Sequence, residues 1–351
     1  MRDVGHELLR RGHDVRVITA TPGLPLVDGM WVSRLETRLL PRWGTVFRRE
    51  ALHALEEVLT DGNFDIVHGH SLWSPLAMMA MWAARRRGIA CVLQSHSILD
   101  GTGIALFRAL DRRLGWSSWP TELAAVSSLT VDETACATRR EVSLLRNCVD
   151  LASWQCPPRV GPVRQIASVL RLASRKAPHD LLSVIPCILE ALPPSERPRF
   201  VIAGDGPERA GLQAHIKRAH LSDHVELTGF LAPPALRRLL AESQLFVHPT
   251  VQEAFGIVLL EARAAGLPVV AMRPSGARDI VSEGETGFLA ADLGQLSQRI
   301  VALIGDADLR QAMSRHAGKG LAPWSLSSVA DDHLALYDRA LGSLQRSRMT
   351  G

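Results

Sequence analysis

Short apolar runs alternate with longer amphipathic stretches along the whole chain of 351 residues. The apolar runs have the length of buried strands, and the stretches between them carry apolar residues at helical spacing. This alternation is typical of parallel sheets that are covered on both faces by crossover helices. The sequence therefore predicts an α/β fold built from doubly wound parallel sheets.

The predicted elements fall into two series. In the first half, strands are predicted at Asp14–Thr19, Phe64–His68, Ile89–Gln94, Leu123–Val126 and Val142–Leu145, and helices around Val4–Arg11, Phe47–Leu59, Ser74–Arg87 and Ile104–Leu114. In the second half, strands are predicted at Gln165–Leu170, Phe200–Ala203, Val225–Leu227, Leu245–His248, Val269–Met272 and Gly287–Leu289, and helices near His179–Leu192, Glu208–Ala219, Pro234–Ser243, Gly256–Ala265 and Gly294–Ile304.

Proline and glycine gather between the two series, in the segment Gln155–Pro162. Such a cluster between periodic regions is typical of a linker. We therefore predict two Rossmann-like domains, residues 1–157 and residues 158–325. A C-terminal helix over 326–345 can pack on either domain, and we expect it to return to the N-terminal one.

Composition excludes several classes of protein. The chain has 40 Lys+Arg against 36 Asp+Glu, is 46% hydrophobic and has a mean hydropathy of +0.06, which is the composition of a globular protein rather than a disordered one. A net charge of +4 is too weak to imply nucleic-acid binding.

The sequence has no secretory signal pattern, so we expect a cytoplasmic protein. Arginine clusters at Arg85–Arg87 and Arg112–Arg113 leave peripheral contact with the anionic inner membrane face as an alternative.

The densest chemical signal runs from His248 to Ala271. A predicted strand ends at His248, and a predicted helix follows Gly256. The N–H groups of Gly256, Ile257 and Val258 at the start of that helix have no intrahelical partner, and the helix dipole adds positive potential there. This helix start predicts an anion site suited to a diphosphate.

Two carboxylates, Glu253 and Glu261, flank this predicted anion site. Phosphate repels carboxylates, so their oxygens must accept hydrogen bonds from other groups of the ligand. Sugar and ribose hydroxyls supply such donors. The pattern therefore predicts a nucleotide-sugar ligand.

The segment from Glu253 to Glu261 resembles the motif of two glutamates separated by seven residues in the retaining family 4 glycosyltransferases. Other stretches resemble the same family in the same order along the chain. They are Leu8–Val17, Asp65–His70, Leu93–His96, Asn147–Asp150, Val169–Leu182, Phe200–Pro207, Val225–Phe230 and Ser275–Leu289.

The resemblance implies a GT-B fold, in which two Rossmann-like domains face a cleft, and it implies a role for each matching residue. Glu253 would contact donor-sugar hydroxyls near the reacting carbon, and Glu261 the ribose. Arg171 and Lys176 would stabilise the diphosphate leaving group, and His96, across the cleft, would bond the donor sugar and orient the acceptor. Further donor contacts are implied for Gly204, Gly229, Phe230, Phe255, Gly256, Ile257 and Val258.

The implied reaction is transfer of a hexose-type sugar from a UDP- or GDP-linked donor to a glycan, lipid or small-molecule acceptor. Two cations at the diphosphate remove the need for a metal, and no cofactor is implied. Cell-envelope or polysaccharide biosynthesis is the implied setting.

The sequence departs from the family pattern at the N-terminus and at Leu170. Family members begin with a strand and a Gly-Gly loop before the helix predicted here at Val4–Arg11, so we expect the first strand to be missing. Leu170 stands where the family has glycine, and we expect its side chain to crowd the diphosphate loop. Two alternatives stay open: a truncated, non-catalytic GT-B paralogue and a sugar-nucleotide epimerase of the same fold. His68 and His70 have the spacing of a metal pair, but structural histidines are the favoured interpretation.

Overall fold

The computed structural model describes residues 2–35, 39–40, 44–45, 49–157 and 161–350. It divides into an N-terminal unit, Met1–Cys148 with Pro323–Gly351, and a C-terminal unit, Val149–Ala322. The sequence places these boundaries later, after residues 157 and 325. Residues 47–48 of one predicted helix and 158–160 of the predicted linker lie outside the described residues.

Helices and strands alternate along the chain between residues 49 and 272, and the order is less regular on either side. The N-terminal unit contains α1 (Arg2–Arg10), β1 (Arg16–Thr19), β2 (Leu26–Val27), β3 (Met30–Arg34), β4 (Leu39–Leu40), β5 (Gly44–Thr45), α2 (Arg49–Asp61), β6 (Ile66–His70), α3 (Pro75–Arg86), β7 (Ala90–Ser95), α4 (Gly101–Leu114), β8 (Thr121–Ala125), α5 (Ser128–Thr138) and β9 (Ser143–Leu144). The C-terminal unit contains α6 (Leu151–Trp154), β10 (Gln165–Val169), α7 (Pro178–Glu190), β11 (Arg199–Ala203), α8 (Arg209–Arg218), β12 (Val225–Gly229), α9 (Pro233–Glu242), β13 (Leu245–His248), α10 (Ile257–Ala264), β14 (Val269–Met272), β15 (Gly287–Ala290), α11 (Leu293–Gly305) and α12 (Ala307–Ala317). The chain returns to the N-terminal unit in α13 (Leu326–Thr350).

The strands of the N-terminal unit form separate sheets within the described residues. Strands β6, β7, β8 and β9 pair in that order and run parallel. Strand β1 pairs in parallel with β3, which also pairs antiparallel with β2, and β4 pairs with β5. The sequence predicts neither β3 nor its partner β2.

The closing helix α13 is longer than predicted, because it continues past residue 345 to Thr350. Its Leu336 and Ala340 pack with Ala90 and Val92 of β7. Its Val329 and Ala330 pack with residues of α1. None of the described helices combines the length and the apolar character that a membrane crossing needs.

The C-terminal unit is a six-stranded parallel sheet in the order β12-β11-β10-β13-β14-β15. Its central strands β13 and β14 are apolar and buried along their whole length, as expected for a parallel sheet with helices on both faces. The strand order reverses between β10 and β13, which pair through Ile166 with Leu245 and Ala167 with Phe246. Ligands of open α/β sheets bind at the carboxyl ends of the strands at such a switch point. The loops that follow β10 and β13 leave the sheet there.

Candidate active site

The backbone after β10 runs against the glycine-containing turn after β11. Leu170 N–H donates to the carbonyl of Ala203 at 3.1 Å, and Leu172 N–H donates to that of Asp205 at 3.0 Å. A Cβ atom at Gly204, where φ is +138°, would lie 1.9 Å from the Leu170 carbonyl oxygen. Only glycine fits this approach. The turn therefore fixes the path of the segment that carries Arg171.

Side chains alternate in direction along this segment. Leu170 and Leu172 are buried in the hydrophobic core, and Arg171 between them is exposed. The expectation that Leu170 crowds the diphosphate loop is therefore wrong, because its side chain packs into the core. No described residue forms a hydrogen bond or ion pair with the Arg171 side chain, so its guanidinium is available to a ligand.

Lys176 ends a short 3₁₀ turn, Ser174–Lys176, that leads into α7. Ala177, the next residue, has a left-handed backbone with φ +54°, a conformation that favours glycine over alanine. The hydroxyl of the fully buried Thr250 donates to the Lys176 carbonyl at 2.9 Å. This bond ties the loop after β10 to the loop after β13.

Glu253 lies in the loop after β13 and receives two hydrogen bonds on one oxygen. Lys176 Nζ lies 2.7 Å from its Oε2, and His248 Nε2 lies 3.1 Å from the same atom. The side chains of Glu253 and Lys176 are 14% and 20% exposed. Burial alone would raise the pKa of Glu253, but the hydrogen bonds from His248 and Lys176 and the positive charge of Lys176 outweigh it and hold the pKa at about 2. The carboxylate is therefore ionised at neutral pH.

Helix α10 begins immediately after this loop, at a glycine with a left-handed backbone. Gly256 has φ +93° and precedes the first helical residue, Ile257. The backbone N–H groups of Gly256, Ile257 and Val258 donate to no residue that the structure describes. Unpaired N–H groups and the helix dipole together give this helix start the positive potential and the donors that an anion needs.

Glu261 lies in the second turn of α10 and is half-buried. Burial raises its pKa to about 7. No described residue donates a hydrogen bond to its carboxylate. A carboxyl group held away from water without a partner is a strong acceptor for a hydroxyl donor on a ligand.

The remaining residues that the sequence assigns to donor binding differ in hydrogen bonding and in exposure. The carbonyl of Gly229 accepts a 2.8 Å bond from the N–H of Gly204, so these two glycine turns meet. The Phe230 ring is 77% exposed, whereas the Phe255 ring is 3% exposed and belongs to the interior. The Phe230 ring is therefore accessible to a ligand, and the Phe255 ring is not.

Histidines cluster at the carboxyl ends of β6 and β7 in the N-terminal unit. His96 follows β7, and its Nε2 lies 3.0 Å from Nδ1 of His70 at the end of β6. Burial lowers the pKa of His70 to about 3 and that of His96 to about 4, so both rings are neutral at physiological pH. Behind them, His68 Nδ1 lies 2.9 Å from the Tyr337 hydroxyl. Among the residues that the structure describes, no group of three or more metal-binding side chains has the geometry of a metal site.

His248 is the residue that sequence reasoning leaves unassigned. The sequence marks it only as a strand end, yet it is buried and bonds Glu253 directly. Its position in the sequence could have identified it. His248 stands at the carboxyl end of the strand at the switch point and precedes Glu253 by five residues.

Two family models match the chain and together span both units. Glycosyltransferase Family 4 matches residues 1–153, and Glycosyl transferases group 1 matches residues 158–320. The chain belongs to the family 4 glycosyltransferases. Within this family, the group 1 match contains Arg171, Lys176, Glu253 and Glu261.

Curated relatives are similar to this glycosyltransferase over most of its length. A phosphatidylinositol N-acetylglucosaminyltransferase subunit of Arabidopsis thaliana is 27% identical over 360 residues, which is 97% of this chain and 78% of that protein. Phosphatidyl-myo-inositol mannosyltransferase of Mycobacterium leprae is 28% identical, over 95% of this chain and 90% of that protein. The glycosyltransferase spans only 54% and 58% of the corresponding subunits from Schizosaccharomyces pombe and human.

Solved structures of glycosyltransferases share the GT-B fold of this chain. Anabaena HepE, solved in complex with UDP-glucose, superposes with a TM-score of 0.76. The alignment covers 97% of this glycosyltransferase and 94% of HepE at 19% identity. At this identity the likeness shows the fold alone.

Proposed function

We propose that the chain is a retaining glycosyltransferase that transfers a hexose-type sugar from a UDP- or GDP-linked donor to an acceptor that contains inositol. The observation that carries the proposal is the position of Glu253. Its ionised carboxylate is held by Lys176 and His248 beside the unpaired N–H groups of Gly256 and Ile257. A carboxylate next to an anion site fits a ligand that carries both hydroxyls and phosphates.

The donor diphosphate would bind the start of α10, Arg171 and Lys176. Negative charge grows on the leaving phosphate as the bond from the anomeric carbon to the phosphate oxygen breaks, and preorganised positive groups stabilise it most at that stage. Lys176 has three N–H donors, of which one is bonded to Glu253 in the structure. The other two can therefore hold a phosphate oxygen while the ion pair persists.

The anomeric configuration is retained if the acceptor hydroxyl attacks the anomeric carbon from the face on which the phosphate departs. The new bond joins the acceptor oxygen to the anomeric carbon, and the departing β-phosphate oxygen takes the acceptor proton. Glu253, with a pKa of about 2, cannot donate a proton at neutral pH, so its role is to accept bonds from donor-sugar hydroxyls. His96, neutral at this pH, would bond the sugar and orient the acceptor.

Glu261 would bind the nucleotide ribose. Its carboxylate is half-buried and has no donor among the described residues, and a ribose presents two hydroxyls. The exposed Phe230 ring, next to the Gly229 turn, would pack against the nucleobase.

The relatives support an inositol-containing acceptor. The Arabidopsis and Mycobacterium proteins are named for transfer to phosphatidylinositol and to phosphatidyl-myo-inositol, although the sugars in their names differ. The two names share an acceptor class but differ in the sugar. They therefore support the acceptor more strongly than the sugar donor. Biosynthesis of a cell-envelope glycolipid is then the setting we propose.

The test combines three donors with two acceptors. UDP-N-acetylglucosamine, UDP-glucose and GDP-mannose are each incubated with phosphatidylinositol in detergent micelles or with inositol 3-phosphate, and product is detected by mass spectrometry and by the anomeric coupling in NMR spectra. The proposal predicts an α-linked product from one donor, abolished in Glu253→Gln. A β-linked product contradicts retention. Donor epimerisation without transfer contradicts the transferase assignment, and undiminished turnover in Glu253→Gln contradicts the site.

A further inference from the structure

His248 occupies a fixed position behind Glu253. It ends strand β13, is 1% exposed, and its ring stacks on Phe246 at 6.5 Å between ring centroids. A side chain this buried does not reach a bound sugar. Its Nε2 nevertheless lies 3.1 Å from Oε2 of Glu253.

We infer that His248 is a positioning residue that anchors Oε2 of Glu253 through its Nε2–H, so that the other carboxylate oxygen, Oε1, is presented to the donor sugar. The inference rests on the proposed function of Glu253. Both protein donors, Lys176 and His248, bond the same oxygen, Oε2, and no described residue bonds Oε1. The carboxylate is therefore anchored on one side and open on the other.

The tautomer of His248 follows from its two nitrogens. An ionised carboxylate only accepts hydrogen bonds, so the Nε2 atom facing Glu253 must carry a proton. The Nδ1 atom is buried and has no hydrogen-bond partner in the described part of the chain. A proton on Nδ1 would be a buried, unpaired donor, which is costly. The neutral Nε2–H tautomer is the state that leaves no N–H unpaired.

His248 and Lys176 both bond Oε2 of Glu253, but they differ in mobility and in access to the donor. Lys176 is a flexible cation at a site that is 20% exposed, and a donor diphosphate competes for it. His248 is buried at the end of a strand and out of reach of the donor. While Lys176 is shared between Glu253 and the phosphate, His248 holds Oε2 in place by a second bond. The orientation of Glu253 is then independent of where the lysine points.

The first test measures turnover in variants of His248. His248→Leu removes the donor, His248→Gln supplies an amide N–H, and His224→Leu is the control, since His224 lies outside the proposed site and is only half-buried. We expect His248→Leu to lower kcat by roughly 10- to 100-fold, the usual effect of losing a hydrogen bond to a charged group. UDP affinity, measured by calorimetry, should change less than about threefold, and His248→Gln should recover most of the loss.

The pH profile separates positioning from general damage to the fold. Lys176 and His248 are the titratable groups that bond Glu253, so losing one of them should raise the pKa of Glu253 and move the acid limb of kcat to higher pH in His248→Leu. His224→Leu should keep the wild-type profile. A kcat for His248→Leu within about twofold of wild type, with Glu253→Gln inactive, overturns the inference and leaves the proposed function standing.

A second test needs no turnover. In ¹⁵N-histidine NMR spectra of the full chain at pH 7, with His248 assigned from His248→Gln, we expect a protonated Nε2 and an unprotonated Nδ1. The Nε2–H signal should shift in Glu253→Gln. A protonated Nδ1 would overturn the inference even if no donor in the panel is turned over.

Discussion

Nζ of Lys176 lies 2.7 Å from Oε2 of Glu253, so the cation assigned to the diphosphate and the carboxylate assigned to the sugar form one ion pair. The two residues are 77 positions apart in sequence. They meet because β10 and β13 are neighbours at the switch point of the sheet and because Thr250 ties their loops together. A donor therefore binds to a site whose charges are already paired and oriented.

Removing Lys176 tests this pairing. Lys176→Met should lower both donor affinity and kcat by about 10-fold or more, because the diphosphate loses a charge-assisted bond. The control is Lys217→Met, since Lys217 is exposed on helix α8. Calorimetry with UDP and steady-state turnover measure the two effects. Wild-type affinity and wild-type kcat in Lys176→Met would remove the lysine from the site.

Glu253 should also make folding stability depend on pH. Its pKa in the folded chain is about 2, below the ordinary value of 4.5, so its contribution is complete above pH 4.5 and is lost as pH falls toward 2. Relative to Glu253→Gln, we expect the wild-type unfolding free energy to fall by about 2 kcal/mol between pH 5 and pH 3. Urea unfolding followed by tryptophan fluorescence measures it. Parallel pH curves for the two proteins would contradict the ion pair.

The pKa of Glu261 is shifted upward, so its contribution to stability should have the opposite pH dependence. Burial raises its pKa to about 7, so its stabilising contribution is complete below pH 4.5 and is lost as pH rises through 7. A ribose hydroxyl that donates to the ionised carboxylate lowers this pKa, so UDP binding should release about half a proton at pH 7. Calorimetry in two buffers of different ionisation enthalpy measures the release. Equal release in Glu261→Gln, where only the nucleotide can titrate, would exclude Glu261 from the ribose site.

The turn at Gly204 gives a prediction about stability. A Cβ atom there would lie 1.9 Å from the Leu170 carbonyl oxygen at φ +138°, so Gly204→Ala must displace the backbone before Arg171. We expect a loss of about 3 kcal/mol or more in unfolding free energy. Gly318→Ala is the control, because Gly318 has φ −79° and open space around its Cβ position. Equal melting temperatures for the two variants would contradict the close approach.

The sequence predicts the parts of the fold that depend on local pattern. Strands β13 and β14 of the C-terminal sheet are buried apolar runs, and the motif from Glu253 to Glu261 locates the start of α10. Helix α5 is missed because its Ser- and Thr-rich sequence has low helix propensity and depends on the cap at Ser127. Strand β3 is missed because it is a short segment paired with β1 and β2 rather than a fully buried run.

Side-chain partners lie beyond what the sequence pattern can predict. The bonds from His248 to Glu253 and from His70 to His96 depend on which strands become neighbours and on where their ends stop. Leu170 is a case in which the sequence suggests a side-chain position that the structure does not have. Its alignment with a family glycine suggests a side chain in the diphosphate loop, but the strand direction turns it into the core. Orientation is decided by tertiary packing, not by sequence position.

Calorimetric binding of UDP and GDP to wild type, Arg171→Ala and Arg175→Ala tests the diphosphate site most directly. Both arginines are exposed in the same loop, but only Arg171 lies in the segment fixed by the Gly204 turn. We predict saturable binding of one nucleotide, weakened about 10- to 100-fold in Arg171→Ala and unchanged in Arg175→Ala. If wild type binds neither nucleotide, or if the two variants bind alike, the diphosphate site that we place between Arg171 and helix α10 is contradicted.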